Sequence, residues 1–189
     1  PAASAPAATP PPAAAPPAAL AARAPVAEVV TQIQKVYERT TSLKARFAQT
    51  LTGPMGKRQA SGALSLKKPG KMRWEYREPA GKLFVSDGRD VYFYSRSSNR
   101  VERSKLKETE DMRVPLAFLI GRLDFDRDFR EFHTKSIGKD LWIESYPRSD
   151  KAPYRQVDFL LTPNAQITRL RDYGHDQSVL DYVFTNEKL

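Results

Sequence analysis

Alternation of apolar and polar side chains is the strongest signal in the central part of this chain. Between residues 62 and 94 it is interrupted by three short turn sequences, each of which contains Gly together with Pro or Asp. In one segment, Met72, Trp74 and Tyr76 alternate with charged residues, so one face of the strand is apolar and the other is charged. Strands joined by such tight turns pair in an antiparallel manner. The pattern predicts a meander to which the rest of the chain adds strands.

A helix precedes this meander and several strands follow it. Residues 26–40 carry apolar side chains at the i, i+3, i+4 and i+7 spacing of an amphipathic helix. From Ser42 onward, apolar and polar side chains alternate with a period of two residues, and segments of this kind continue to residue 184. We count about eleven strands and two or three short helices, without the β-α-β alternation of parallel sheets. The predicted fold class is therefore mainly β, with an antiparallel sheet and a few helices.

The first 25 residues differ in composition from the rest of the chain. They contain 13 Ala and 8 Pro, a composition that forbids a regular helix and offers few large apolar side chains to bury. The segment also lacks the roughly 20 strongly apolar residues of a transmembrane helix. We predict a disordered linker at 1–25 and one folded domain at 26–189. Because the chain starts at Pro1 without Met, we expect a processed product from which any signal peptide has been removed.

Two segments near residue 120 are predicted to form short helices. Residues 114–122 are apolar on all sides, so this helix should be buried or form one wall of a pocket. Residues 123–126 are a candidate for another helical turn. Asp124, Asp126 and Asp128 suggest a cation loop, but they lack the Gly and the final Glu of an EF-hand. A solvated or helix-capping acidic face is the favoured interpretation.

Composition and charge narrow the classes of function. The chain has no Cys, which excludes disulfides, Cys-ligated metals and a thiol nucleophile, and fits either a periplasmic or a cytosolic location. Its net charge is +9, but the basic residues are spread along strands and no predicted helix carries a basic stripe. A generic basic surface that meets membranes or acidic partners is therefore favoured over nucleic-acid binding.

Catalytic motifs are missing from this sequence. It contains no HExxH, GxSxG, GxxxxGK or GxGxxG pattern. Its two His residues, His133 and His175, lie far apart in sequence and are interpreted as structural or solvated side chains. We therefore expect no enzymatic activity, no cofactor and no bound metal.

The apolar face of the predicted sheet could be covered in two ways. Either the helices pack on it as an ordinary core, which composition favours, or they act as a lid over a cavity. Lys68 argues for a lid, because it follows Leu64 and Leu66 on the same face and period two directs it inward. A buried ammonium group needs acceptors, and the C-terminal carbonyls of a lid helix would supply them. The alternative is a turn lysine that extends into water beside Pro69.

Several stretches of this chain resemble the outer-membrane lipoprotein carrier family, LolA. The resemblance is carried by SGALSLKKPGKMRWEY, LFVSDGRDVYFY and VPLAFLIG, together with Tyr37 and SLKARFAQT upstream. It spans about residues 28–186 in the family's order, without a large insertion. It implies an unclosed β-barrel covered by an α-helical lid, with a hydrophobic cavity for the acyl chains of lipoproteins. It also places Lys68 where the family has an Arg that latches the lid, so the guanidinium fork is lost here.

On this resemblance the protein is a monomeric periplasmic carrier. It would receive triacylated lipoproteins from an inner-membrane ABC transporter of the LolCDE type and deliver them to a LolB-type acceptor or directly to the outer membrane. The alternatives are a membrane-anchored LolB-like acceptor, a lipoprotein-sensing domain of the same fold, and a polyanion-binding β-barrel. The family has a further strand after the segment matching 179–184, so we also expect the last C-terminal strand to be missing. The predicted acyl-binding cavity is lined by Val36, Tyr37, Phe47, Leu64, Leu66, Met72, Trp74, Leu116, Leu119, Ile120 and Trp142.

Overall fold

A computed structural model describes residues 26–106 and 124–188 of the chain. The predictions for the linker at 1–25, for the helix at 114–122, and for Leu116, Leu119 and Ile120 lie outside the described residues. The described elements are α1 (Val26–Arg39), β1 (Ser42–Gly53), β2 (Gly56–Lys67), β3 (Lys71–Glu78), β4 (Lys82–Asp87), β5 (Asp90–Ser95), β6 (Arg100–Lys105), α2 (Phe125–Asp128), β7 (Phe129–Ile137), β8 (Asp140–Pro147), β9 (Tyr154–Leu161), β10 (Ile167–Gly174) and β11 (Val179–Lys188).

All of these strands form a single antiparallel sheet. Its order is β6-β5-β4-β3-β2-β1-β11-β10-β9-β8-β7, so most neighbours in space are also neighbours in sequence. The exception is the pair β1 and β11, which runs from Lys44 opposite Lys188 to Thr52 opposite Val179 and joins the two halves. The order ends at β6 on one side and at β7 on the other, so the sheet is not closed into a barrel. The predicted fold class and strand number are confirmed.

Helix α1 packs against one face of this sheet, which we call the concave face. Its buried side chains are Val29, Val30, Ile33 and Tyr37, which lie along one stripe of the helix. They belong to the same hydrophobic core as the inward residues of the strands. Complete burial of a residue such as Ile33 stabilises the protein by about 1.5–3 kcal/mol, whereas a 14-residue helix is marginal alone. Packing on the sheet therefore stabilises α1.

Period two sets which side chains of β1 to β4 reach the concave face. Leu64 lies opposite Trp74 across β2 and β3, and Trp74 lies opposite Phe84 across β3 and β4. The ring of Phe47 in β1 meets that of Trp74 edge-on, with centroids 4.8 Å apart. Gly62 makes this approach possible, because a Cβ atom there would lie 2.0 Å from the Glu75 carbonyl oxygen and 2.9 Å from the Phe47 ring. A side chain at residue 62 would therefore require the backbone of β3 and the Phe47 ring to shift.

Reciprocal hydrogen bonds define the short helix α2. The Asp124 side chain accepts a hydrogen bond from the backbone N–H of Arg127, and the Asp128 carboxylate accepts one from the backbone N–H of Asp124. These are capping interactions that satisfy amides at a helix N-terminus. The helix-capping interpretation of the acidic cluster is thus confirmed, and residues 26–106 and 124–188 contain no group of acidic or His side chains placed to hold a metal ion.

Candidate functional site

An open cavity of about 750 Å³ lies at one end of the concave face, and we call it the mouth cavity. Its volume falls in the range of about 300–1,000 Å³ that is usual for small-molecule sites. Apolar and aromatic side chains lie beside charged ones in its lining, so apolar groups could enter while the charges stay at the rim. The described lining comprises Gln49, Leu51, Arg58, Gln59, Ala60, Tyr76, Glu78, Pro79, Lys82 and Phe93.

Most of the predicted cavity residues lie farther along the same strands than this opening, in the packed core. Phe47, Leu64, Leu66, Met72 and Trp74 are each at most 7% exposed and share the concave face, as the alternation predicted. Val36 is partly buried against the same core. None of these residues is among the described residues that line the mouth cavity. Their inward direction is confirmed, while their contact with acyl chains stays a prediction.

Trp142 does not lie on the concave face. Its neighbours Leu141 and Ile143 pair with buried residues of β9, whereas Trp142 pairs with half-buried Leu160 on the convex face. The guanidinium carbon of Arg171 lies 5.3 Å from the centre of the Trp142 ring. The prediction of Trp142 as a cavity residue is therefore wrong. Three consecutive apolar residues cannot all face inward on one strand, and here Trp142 is the one that faces outward.

Lys68 reaches the C-terminal end of α1. Its ammonium group donates a hydrogen bond to the backbone carbonyl of Tyr37 and lies 3.4 Å from the carbonyl oxygen of Glu38. Both carbonyls belong to the last turn of the helix, where intrahelical donors run out. The backbone N–H of Lys68 also donates to the carbonyl of Thr41, at 2.9 Å. The contact that the sequence predicted is present, and the role of Lys68 as a latch stays a prediction.

Partial burial and a neighbouring negative charge shift the pKa of Lys68 in opposite directions. Partial burial lowers the pKa of its ammonium group, because desolvation disfavours the charged form, and the nearby Glu38 carboxylate opposes this shift. A protonated lysine at this position can donate to both helix carbonyls. The sequence identified this contact because Lys68 continues the inward parity of Leu64 and Leu66.

Tyr37 fixes the other side of the same helical turn. Its hydroxyl accepts a hydrogen bond from the backbone N–H of Ile167 at 2.9 Å and donates one to the Glu187 carboxylate at 3.2 Å. Burial raises the pKa of Tyr37 and also that of Glu187. The sequence predicted Tyr37 as an inward residue but gave no sign of these partners, which lie 130 and 150 residues away.

A row of concave-face residues near the mouth was missed at the sequence level. Asp172 of β10 pairs with Val157 of β9, and Val157 pairs with Ser145 of β8. Burial raises the pKa of Asp172 to about 7, and the neighbouring Asp176 adds to this shift. Parity with Leu170, which is buried, would have directed Asp172 inward. Tyr76, whose ring centre lies 5.3 Å from that of Phe47, was identified as inward but not as part of the site.

The family of this protein follows from its sequence. The family model for the outer membrane lipoprotein carrier protein LolA matches residues 38–188. The chain belongs to the LolA family. It is 29% identical over 133 residues to the outer-membrane lipoprotein carrier protein of Nitrosomonas europaea, a match that covers 69% of this chain and 64% of that protein. It is also 29% identical over 156 residues to the carrier of Chromobacterium violaceum, with 82% and 75% covered.

A solved structure shares the fold at low sequence identity. A crystal structure of an uncharacterized conserved protein from Thermus thermophilus superposes with a TM-score of 0.53 at 12% identity. The superposition covers 86% of this LolA-family chain and 85% of that one. Within the part of the chain that the structure describes, no helix is long and apolar enough to cross a membrane.

Proposed function

We propose that this protein binds the acyl chains of lipoproteins on its concave face and carries them across the periplasm, from the inner to the outer membrane. The observation that carries the proposal is the mouth cavity, which adjoins an extended apolar core through the contact between Tyr76 and Phe47. Membership of the LolA family and the carrier names of the relatives support it. The charged rim residues Arg58 and Lys82 would keep the entrance wetted.

The energetics of acyl chains explain why a carrier must enclose them. Each methylene group that leaves water contributes about 0.8 kcal/mol, so a lipoprotein with three long chains cannot cross an aqueous space unaided. If a methylene group takes about the 30 Å³ of a water molecule, a 16-carbon chain needs about 500 Å³. The mouth cavity, at about 750 Å³, holds one such chain but not three. Full loading therefore requires the core to open.

Opening of the core gives the predicted cavity residues their role. If α1 moves away from the sheet, Leu64, Met72 and Trp74 become the wall of an enlarged cavity. The hydrogen bonds of Lys68 and Tyr37 at the end of α1 would then set how easily the helix lifts. In this proposal Lys68 is a latch that holds the empty form and gives way when lipid enters.

The partners proposed for this monomeric carrier are those of its family. It receives triacylated lipoproteins from a LolCDE-type transporter and passes them to a LolB-type acceptor or directly to the outer membrane. It catalyses no reaction and binds no nucleic acid.

A binding and release experiment tests the proposal. A fluorescent fatty-acyl probe should bind the chain and should be displaced by a triacylated peptide, but not by the same peptide without acyl groups. Added to inner-membrane vesicles that contain the transporter, the chain should release lipoprotein into the soluble fraction. A correctly folded chain that binds no acyl probe would contradict the proposal. Transfer only from an already loaded carrier would favour the acceptor role instead.

A further inference from the structure

Three buried side-chain oxygen atoms on the concave face have no hydrogen-bond partner within the described ranges, and one of them, Oε1 of Gln49, belongs to the mouth cavity already described, while the other two lie in one row. These two are Oδ1 of Asp172 and Oγ of Ser145. In cross-strand register, Ser145 is followed by Val157, Asp172, Leu180 and Leu51, so the five residues form one row from β8 to β1. Residues directly opposite on antiparallel strands share a face. The row therefore places two polar groups on the face that carries the apolar core, and it ends at a wall of the mouth cavity.

This row has apolar neighbours on one side and is open on the other at Asp172, Leu180 and Leu51, whereas Ser145 and Val157 are completely buried. The adjacent row contains the buried residues Ile143, Phe159, Leu170 and Tyr182. On the other side, Asp172 lines an opening of about 380 Å³ that is shared with Leu51, Pro153, Gly174, His175, Asp176, Ser178 and Leu180. A buried polar group without a partner costs free energy, so this position favours a ligand or water that supplies one.

The chemistry of the two groups selects the kind of ligand atom. The Ser145 hydroxyl donates a hydrogen bond, and so does the Asp172 carboxyl when protonated. Burial raises the pKa of Asp172 to about 7, so a large fraction of the carboxyl is protonated at neutral pH. Such donors suit neutral carbonyl oxygens. The carboxyl also lies near Tyr154, a neutral phenol whose pKa is itself raised to about 12 by burial and by the acidic groups around it.

We propose that Asp172 and Ser145 form a polar subsite that donates hydrogen bonds to the ester and amide carbonyls of an acylated glyceryl-cysteine. This inference rests on the proposed carrier function and adds to it a preference for lipids that have ester or amide carbonyls. One carbonyl reaches Asp172 through the opening, and a carbonyl of another acyl chain reaches Ser145, two strand spacings or about 10 Å away, when the core opens as in the proposed function. A free fatty acid is disfavoured because its carboxylate meets Asp176, whose pKa is held low by hydrogen bonds from Ser178 and which is therefore an anion.

Displacement of the fluorescent acyl probe by two matched lipids tests this subsite. The first is dioleoylglycerol, which has ester carbonyls, and the second is the dioleyl diether of glycerol, which has the same chain length without carbonyls. We expect the wild-type protein to bind the diester about tenfold more tightly than the diether. Asp172→Leu should bring this ratio close to one by weakening the diester alone, whereas Asp172→Asn, which keeps a donor, should preserve most of it. Oleate should gain about threefold in affinity in Asp176→Asn, which removes the anion that its carboxylate meets.

The variants also separate the subsite from the carrier function. Ser145→Ala removes one hydroxyl without adding volume, and it should lower the diester-to-diether ratio even if Asp172→Leu fails to fold. Asp150→Leu, at an exposed position between β8 and β9, is the control and should behave as wild type. An unchanged ratio in the folded variants overturns the subsite and leaves the carrier function intact. Failure of wild-type protein to bind either lipid overturns both.

Discussion

Lys68 and Tyr37 connect opposite halves of the sheet through the last turn of α1. The Lys68 ammonium group, at the β2–β3 turn, donates to the backbone carbonyl of Tyr37, while the Tyr37 hydroxyl accepts from the backbone N–H of Ile167 in β10. One residue of the helix is therefore held from both sides. Any movement of α1 away from the concave face must break both contacts, which makes them the first targets for mutation.

Removal of the Lys68 ammonium group should loosen the end of α1. We expect Lys68→Met to lower the free energy of unfolding by about 0.5–1.5 kcal/mol, because the hydrogen bond is charged but half-exposed. Hydrogen exchange should accelerate in the last turn of α1, and the acyl probe should enter faster. Lys67→Met is the matched control, since Lys67 is exposed on the adjacent position. Equal exchange in the two variants would argue against a latch.

Tyr37→Phe should have a larger effect on stability than Lys68→Met. Loss of the hydroxyl leaves the backbone N–H of buried Ile167 without its acceptor, which costs about 1–3 kcal/mol. Urea unfolding followed by tryptophan fluorescence measures this loss. Tyr94→Phe, on the convex face, serves as the control and should change the free energy of unfolding by less than about 0.5 kcal/mol. A similar loss in both variants would show that the Tyr37 hydroxyl is not special.

Gly62 should not tolerate a side chain. A Cβ atom 2.0 Å from the Glu75 carbonyl oxygen forces β2 and β3 apart or displaces Phe47, so Gly62→Ala should destabilise the protein by about 1–3 kcal/mol. Gly53→Ala is the control, because a Cβ there meets its nearest neighbour at an ordinary 3.6 Å. Thermal unfolding of the two variants checks the expectation. If both melt at the same temperature, the sheet adapts more easily than its packing indicates.

A charge on the wall of the mouth cavity should block acyl binding. Phe93 and Tyr94 are consecutive aromatic residues of β5, but only Phe93 lines the cavity. We expect Phe93→Glu to weaken binding of the fluorescent acyl probe at least about tenfold, since an unpaired carboxylate beside an alkyl chain must be desolvated. Tyr94→Glu places the same charge on the opposite face and should bind normally. Equal affinities of the two variants for the probe would show that acyl chains bind elsewhere on the protein.

Asp172 should make stability depend on pH. Its pKa is about 7 in the folded protein and 3.8 ordinarily, so the folded state holds the proton more tightly. The stabilisation is therefore complete below about pH 4 and is lost as the pH rises through 7. Relative to Asp172→Asn, the wild type should lose up to about 4 kcal/mol over that range. Urea unfolding at pH 4 to 7 measures the difference, with Asp150→Asn as control, and a flat difference would contradict the assigned burial.

Alternation predicted the fold well because few strands permit two interpretations. Leu66, Met72 and Trp74 each follow a polar neighbour and Leu64 precedes one, so the alternation predicts their directions, which are confirmed. The segment that begins at Leu141 has three apolar residues in succession, so period two could not say which one faces outward. Trp142 is the residue that faces outward, and its ring is covered there by Arg171, a residue of another strand. Nothing in the local sequence could indicate that contact.

The candidate site was harder to predict than the fold. Sequence placed apolar residues on one face, but it could not say how deeply α1 would fill the space above them. Phe47 and Trp74 are therefore packed core here, and the open volume lies nearer the end of the sheet, beside Leu51 and Phe93. Asp172 lies two residues after Leu170 on the same strand, so alternation alone predicts that it faces inward. It went unnoticed because acidic residues are usually assigned to solvent.

The open arrangement of the described sheet gives the protein a mechanical property. Every described ladder of hydrogen bonds joins strands within the continuous order from β6 to β7, and none of them joins β6 to β7. The distance between the edges can therefore change by bending of the sheet alone, with all strand pairs intact. A closed barrel would have to break a ladder to widen. The interior of this protein can thus vary in capacity at low cost, as the proposed carrier function requires for acyl chains that differ in number and length.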